Sequence, residues 1–191
     1  MRPGTLAWLG RFLAVAAGLI APFSQAEVDN NHAVLAGVVV GVIDGDTADI
    51  RLESGMIRIR LHAIDAPESG QPHGKAAKAA LSDLIYGKAV EVEPYEQDRY
   101  DRLVARVWLD DLDVNAEMLR TGNAWTYRRY VDDPAYCTYK QAPRDLGRGL
   151  WRLPANQRVA PWEWRQRKSR AGHFTDYSQE TVATCVAALG R

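Results

Sequence analysis

Beyond its first 26 residues the chain has no apolar run long enough to span a membrane. It has two cysteines and four histidines. Neither His62 nor His73 has the neighbours of a zinc site or a Ser-His-Asp triad. There is no excess of positive charge, because 24 Lys and Arg balance 24 Asp and Glu. That balance weighs against a protein that grips nucleic acid by bulk charge alone. No segment repeats, which sets aside solenoid and propeller architectures.

The first 26 residues have a character of their own. Met1 to Arg11 carries Arg2 and Arg11 and no acid. Phe12 to Ala21 is an apolar run too short to span a bilayer comfortably, and Ser24-Gln25-Ala26 supplies small residues at both cleavage-determining positions. This order is that of a secretory signal peptide. The expected mature chain starts at Glu27, is secreted or periplasmic, and has no stable membrane insertion; an uncleaved anchor is the alternative. Losing the leader removes two arginines and no acids, leaving the mature chain slightly acidic. The charge is uneven: the part up to about residue 139 is acidic, whereas Lys140 to Arg170 is rich in Arg and Lys. In an oxidising compartment the even cysteine count favours pairing of Cys137 with Cys185, against two unrelated thiols.

Residues 27–35 form a polar lead-in. Strands are predicted at Val38–Ile43, Thr47–Leu52, Met56–His62, Ala89–Glu93 and Leu103–Leu109, from β-branched content, period-two alternation and the flanking Asp-Gly, Ser-Gly and Asp-Asp turns. Lys75–Ile85 reads as an amphipathic helix with Ala76, Ala79, Ala80, Leu81, Leu84 and Ile85 on or near one face, ended by Gly87. A second helix is predicted at Val114–Arg120, closed by Gly122, and a third between Pro134 and Gly147, kinked or shortened by Pro143. Ala155 to Arg170 reads as an extended wrap, and Thr181–Leu189 as a short helix. The order fits an α+β chain with a mainly β core: a five-stranded OB-fold barrel with about three packed α-helices over residues 36–153, then a wrap and tail over 154–191.

The chemistry concentrates between Val42 and Arg102. Acids fall at strand ends and turns, as Asp44-Gly45-Asp46 and Asp65-Ala66-Pro67-Glu68, and arginines at Arg60 and Arg102. Carboxylate oxygens suit a hard cation such as calcium. Guanidinium forks suit a phosphate. Together they describe metal-assisted phosphodiester cleavage better than a simple binding surface. Singly, each has a plainer reading: Asp44 and Asp46 as turn caps, Arg60 as a solvated strand residue, and Arg102 as a surface partner of Asp98 or Asp101.

The ordered set Val42-Ile43-Asp44-Gly45-Asp46-Thr47, Arg60-Leu61-His62-Ala63-Ile64-Asp65-Ala66-Pro67-Glu68, Asp98-Arg99-Tyr100-Asp101-Arg102, Val114-Asn115 and Gly149-Leu150-Trp151 resembles the staphylococcal nuclease family over roughly residues 36–152. The resemblance implies an OB barrel that hydrolyses DNA and RNA with Ca2+, leaving 3′-phosphates. It implies Asp46, Asp65 and the backbone carbonyl of Ala66 as calcium ligands, Glu68 as the acid that orients or deprotonates water, and Arg60 and Arg102 as phosphate-binding arginines. Tyr100, Tyr127 and Tyr130 fall where aromatics approach the substrate. Asp101 stands where the family often has Gly. DNA and RNA are the expected substrates and a monomer the expected state. The competing readings are a non-catalytic OB-type module for single-stranded nucleic acid and a structural envelope protein.

Overall fold

A computed structural model describes residues 33–166 and 174–189. The expected leader and its cleavage site lie outside the described residues.

Strands β1 (Leu35–Val42), β2 (Thr47–Leu52) and β3 (Gly55–Leu61) form an antiparallel meander. The chain then makes the two-residue strand β4 (Ile64–Asp65), helix α1 (Gly74–Ile85), strands β5 (Ala89–Gln97) and β6 (Leu103–Leu109), the short β7 (Leu112–Asp113), helix α2 (Val114–Arg120) and β8 (Trp125–Thr126). The main sheet runs β3-β2-β1-β5-β6-β7, and β3 also pairs in parallel with β6. That pairing closes β1, β2, β3, β5 and β6 into the expected five-stranded barrel. β4 pairs with β8 in a separate ladder, Asp65 opposite Trp125.

Inward residues of the barrel alternate with outward ones. Val39, Ile50, Ile59, Val92 and Val107 are fully buried, as are Leu81 and Ile85 of α1 and Leu119 of α2. Each such aliphatic side chain contributes about 1.5–3 kcal/mol by leaving water. The buried face of α1 is Gly74, Ala77, Leu81 and Ile85. Ala80 and Leu84 pack partly against the core, but Ala76 and Ala79 are exposed, which corrects the face expected for them. In an alanine-rich helix several stripes are equally apolar, and the bulky Leu81 and Ile85 decide which one turns inward. Asn115 cross-ties the barrel end: its amide donates to the His62 and Ala105 carbonyls, and its oxygen accepts from the Val107 N–H.

Two elements depart from the sequence expectation, and a third, the helix interrupted near Pro143, follows it. β5 runs four residues further than expected, to Gln97, because a bulge between Pro94 and Glu96 accommodates the residue that lacks an N–H. The third helix is broken into α3 (Tyr136–Tyr139) and α4 (Gln141–Asp145). The break lies one turn before Pro143, whose ring crowds the carbonyl four residues back. The segment after Pro154 is not extended throughout: it forms a 3-10 turn at Ala155–Gln157 and helix α5 (Pro161–Gln166). Trp162 and Tyr177 pack α5 and the following segment against a second small cluster of Trp125, Leu150, Trp151 and Ala160.

The tail ends in α6 (Val182–Val186), whose Thr181 and Thr184 form a reciprocal cap. A Cys137–Cys185 disulfide ties α6 to α3. Glu180 anchors the same segment, accepting from Arg128 and Lys140 through its carboxylate and from Arg144 through its backbone carbonyl.

Candidate active site

The barrel's register brings the charged residues together. β2 begins at Thr47, which pairs with Arg60 of β3, so Asp46 lies beside the Arg60 guanidinium. The Leu61 N–H donates to the Asp46 carbonyl at 2.8 Å, fixing that corner. The parallel pairing sets Arg60 opposite Val104, which brings Arg102 to the same end of the barrel although 42 positions separate the arginines in sequence. β4 sets Asp65 beneath this end, fully buried against β8. Asp44 closes the preceding turn by accepting from the Asp46 N–H at 3.0 Å. Gly45 is required there, because a Cβ would come within 2.7 Å of both Ala66 and Ala77.

Arg60 bridges the two acids. Its Nη1 donates to Asp46 at 2.6 Å and its Nη2 to Asp65 at 2.7 Å. Asp46 also accepts from the Ala66 N–H at 2.8 Å and from the Thr47 hydroxyl. Burial raises the Asp46 carboxyl to about 6, against the pull of Arg60 and with a further push from Asp44. Burial likewise raises Asp65, against the bonds from Arg165 and with repulsion from Asp46. Burial opposes the charge on Arg60, but Asp46 and Asp65 outweigh it and hold the guanidinium firmly ionised.

A cleft of about 660 Å³ opens over these groups. Of the residues singled out by sequence, Asp46, Arg60, Ala66, Glu68, Arg102, Tyr100, Tyr127 and Tyr130 all line it, while Asp65 lies beneath its floor. Glu68 sits on a short loop folded back on itself: its N–H donates to Gln71 Oε1, and its carbonyl accepts from the Gln71 N–H. Gly74 is needed beside it, since a Cβ would lie 1.8 Å from the Glu68 carbonyl oxygen. Arg102 is held by Asp98, which accepts from Nε at 2.8 Å and Nη2 at 2.7 Å. Asp101 instead accepts from Gln97 and adopts a φ of +66°, a left-handed conformation that favours Gly. Its carboxylate therefore makes no bond to Arg102.

The aromatic residues fall on two walls. Tyr100 is 64% exposed, with the guanidinium carbons of Arg99 and Arg102 at 4.8 and 5.4 Å from its ring centre. Tyr127 stacks on Trp162 with ring centres 5.3 Å apart and meets Tyr130 edge-on at 4.9 Å. One face of Tyr127 is thus covered by the C-terminal segment, while Tyr130 stays exposed. His62 is buried, stacks on Tyr95 at 3.9 Å, and is held toward its neutral form by that burial.

Sequence reasoning missed Arg165 and Arg129, which also line the cleft. Arg165, on α5, donates to Asp65 Oδ2 at 2.7 Å, Asp65 Oδ1 at 3.2 Å and Glu68 Oε1 at 2.7 Å. Its helix is secured because Gln71, on the Glu68 loop, donates to the Val159 carbonyl. The one available signal was the Arg-rich composition of Lys140 to Arg170, which does not say which arginine turns inward.

One end of the closed five-stranded barrel of OB-fold type thus gathers two buried carboxylates, an acid on a flanking loop and several arginines around a single cleft. Residues 58–153 match the family described as "Staphylococcal nuclease homologue". An "Uncharacterized endonuclease" of Escherichia coli O157:H7 is 40% identical over 69% of this chain and 86% of its own length. The "Micrococcal nuclease" of Shigella flexneri is 38% identical over 71% of this chain and 83% of its own. A "Probable staphylococcal-like nuclease CAN1" of Oryza sativa subsp. japonica is 41% identical over 58% of this chain and 33% of its own. The chain belongs to the staphylococcal nuclease family, and it is an enzyme of the nuclease class.

Proposed function

We propose that this nuclease is a secreted or periplasmic, calcium-dependent enzyme that cleaves DNA and RNA with little base preference and leaves 3′-phosphates. The observation that carries the reading is the buried pair Asp46 and Asp65, bridged by Arg60, at the base of a cleft walled by Glu68 and Arg102. The donor chemistry fits a hard dication. Asp44, Asp46, Asp65 and Glu68 supply more negative charge than Arg60 and Arg165 neutralise, and burial disfavours the ionised form of Asp46 and Asp65 until a cation joins them. Among the described residues no three Asp, Glu, His or Cys side chains form a metal cluster by themselves. The set fits calcium, which accepts backbone carbonyls and water beside carboxylates. Asp46, Asp65 and the Ala66 carbonyl would hold it.

In this reading Arg60 and Arg102 bind the scissile phosphate through the guanidinium N–H groups that Asp46, Asp65 and Asp98 leave free, and their attraction grows as negative charge builds on its oxygens. Glu68 accepts a proton from the attacking water. The water oxygen bonds to phosphorus, the bond from phosphorus to the 5′-oxygen breaks, and that oxygen takes a proton from solvent. Calcium, when bound, adds electrostatic stabilisation of the same charge. Base preference is weak because the groups that grip the substrate read phosphate, which carries no base identity. The disulfide and the leader composition support an oxidising destination.

The test uses protein from Glu27 onward with fluorescent single-stranded DNA and RNA, in calcium, magnesium or excess chelator. Cleavage is expected in calcium and lost in chelator. Glu68→Gln should lower turnover by about 10²–10⁴-fold while leaving the fold intact. Full activity in folded Glu68→Gln, or in chelator, would refute the mechanism.

A further inference from the structure

Arg165 stands outside the stretch that matches the family, yet it engages two of the residues assigned to the chemistry. Asp65 accepts from Arg165 at both carboxylate oxygens and from Arg60 at one of them. Glu68 accepts from the same Arg165 guanidinium. A guanidinium and a dication carry the same sign of charge and seek the same carboxylate oxygens. They therefore exclude one another at Asp65. We propose that Arg165 competes with the dication for Asp65 and Glu68, so that the C-terminal helix α5 sets the cation concentration at which the site assembles. The inference rests on the calcium reading above and adds a residue that opposes the cation.

The packing lets Arg165 yield without unfolding α5. Its side chain is 42% exposed, whereas that of Arg60 is 16% exposed and tied to an acid at each end of its fork. The body of the segment is held independently of Arg165. Val159, Ala160 and Pro161 are buried. Trp162 lies on Tyr127, and Glu163 accepts from the Tyr177 hydroxyl and the Thr175 N–H. The guanidinium can thus swing out of the acid cluster while the helix stays docked. Its departure leaves Arg60 on Asp46 Oδ1 and Asp65 Oδ1, and releases Asp65 Oδ2 and Glu68 Oε1, the two oxygens to which a cation and an attacking water would then have access.

Competition and support predict opposite signs. A residue that merely positioned Asp65 for calcium would weaken binding when removed, and a competitor would tighten it. Calcium would be titrated calorimetrically into the full mature chain as wild type, Arg165→Ala, Arg165→Lys and Asp46→Asn, with folding checked by circular dichroism. Arg165→Ala should bind calcium about tenfold more tightly, the scale of one partly exposed ion pair against a buried acid. Its melting temperature should also rise more on adding calcium than that of wild type. Arg165→Lys keeps the charge but cannot span both acids, and should fall between. Should Arg165→Ala not fold, the lysine variant decides by the same sign. Unchanged or weaker affinity in a folded Arg165 variant, with wild-type binding sensitive to Asp46→Asn, overturns the competition alone. No calcium uptake by any variant overturns both the competition and the calcium reading.

Discussion

Asp46 makes a sharp prediction about stability and pH. Its carboxyl is held at about 6 in the folded protein, above its ordinary 3.8, with burial the leading cause. As pH rises through 3.8 the unfolded chain releases this proton first, while the folded protein keeps it until about 6. Across that window the folded state binds more protons, so raising the pH favours unfolding. The loss attributable to Asp46 is about 3 kcal/mol, complete above pH 6 and absent below about 4. Asp65 is raised in the same sense and adds to it. His62 acts oppositely: burial lowers it below its ordinary 6.5, so stability rises as pH climbs toward that value. Comparison with Asp46→Asn separates the acids from His62, because the variant removes the Asp46 contribution and its push on Asp65 and leaves that of His62 in place. Urea unfolding in chelator at half-unit steps from pH 4 to 7.5 measures the difference. Wild type should lose about 2–4 kcal/mol relative to Asp46→Asn across the window. Parallel stability profiles would refute the claim that this carboxylate is held ionised at a cost. Calcium added at pH 7.5 should recover much of the loss in wild type and little in the variant.

Two further outcomes follow from the same contacts. Arg102→Ala should lower kcat/KM by about 10²–10³-fold while costing about 1 kcal/mol of stability, since its partner Asp98 keeps bonds from the Tyr100 and Arg102 backbone N–H groups; an unchanged kcat/KM would remove Arg102 from the phosphate site. Reduction of the Cys137–Cys185 bridge, which spans 48 positions, should cost about 2–4 kcal/mol and open residues 174–189 to proteolysis, read by the urea midpoint and by limited digestion.

The strands were largely legible because their alternation is local. Met56-Ile57-Arg58-Ile59-Arg60-Leu61 buries every second side chain most deeply at Ile59 and Leu61, as the period-two pattern requires. The end of β5 was not legible. Pro94 reads as a loop signal, and only pairing with β6 across a bulge shows the strand continuing. The stripe of α1 was legible at Leu81 and Ile85 but misread at Ala76 and Ala79, because alanine carries too little apolar surface to choose a face by itself. The proline, tryptophan and arginine content of residues 155–170 says nothing about a short helix seated on Trp125 and Tyr127, so α5 was not legible.

The sequence by itself determined the kinds of chemistry available: acids at turn positions before and after β2 and β3, two arginines near them, and a resemblance that ordered their roles. Tertiary structure decided how those groups meet. Parallel closure of β3 on β6 unites Arg60 with Arg102. The β4–β8 ladder buries Asp65 beneath the cleft. Docking of α5 carries Arg165 across 100 positions of sequence to Asp65. No local pattern encodes such a contact, because an ion pair depends on where two distant backbones are held, and that position is set by the apolar packing of the barrel and of Trp162 rather than by the charges themselves.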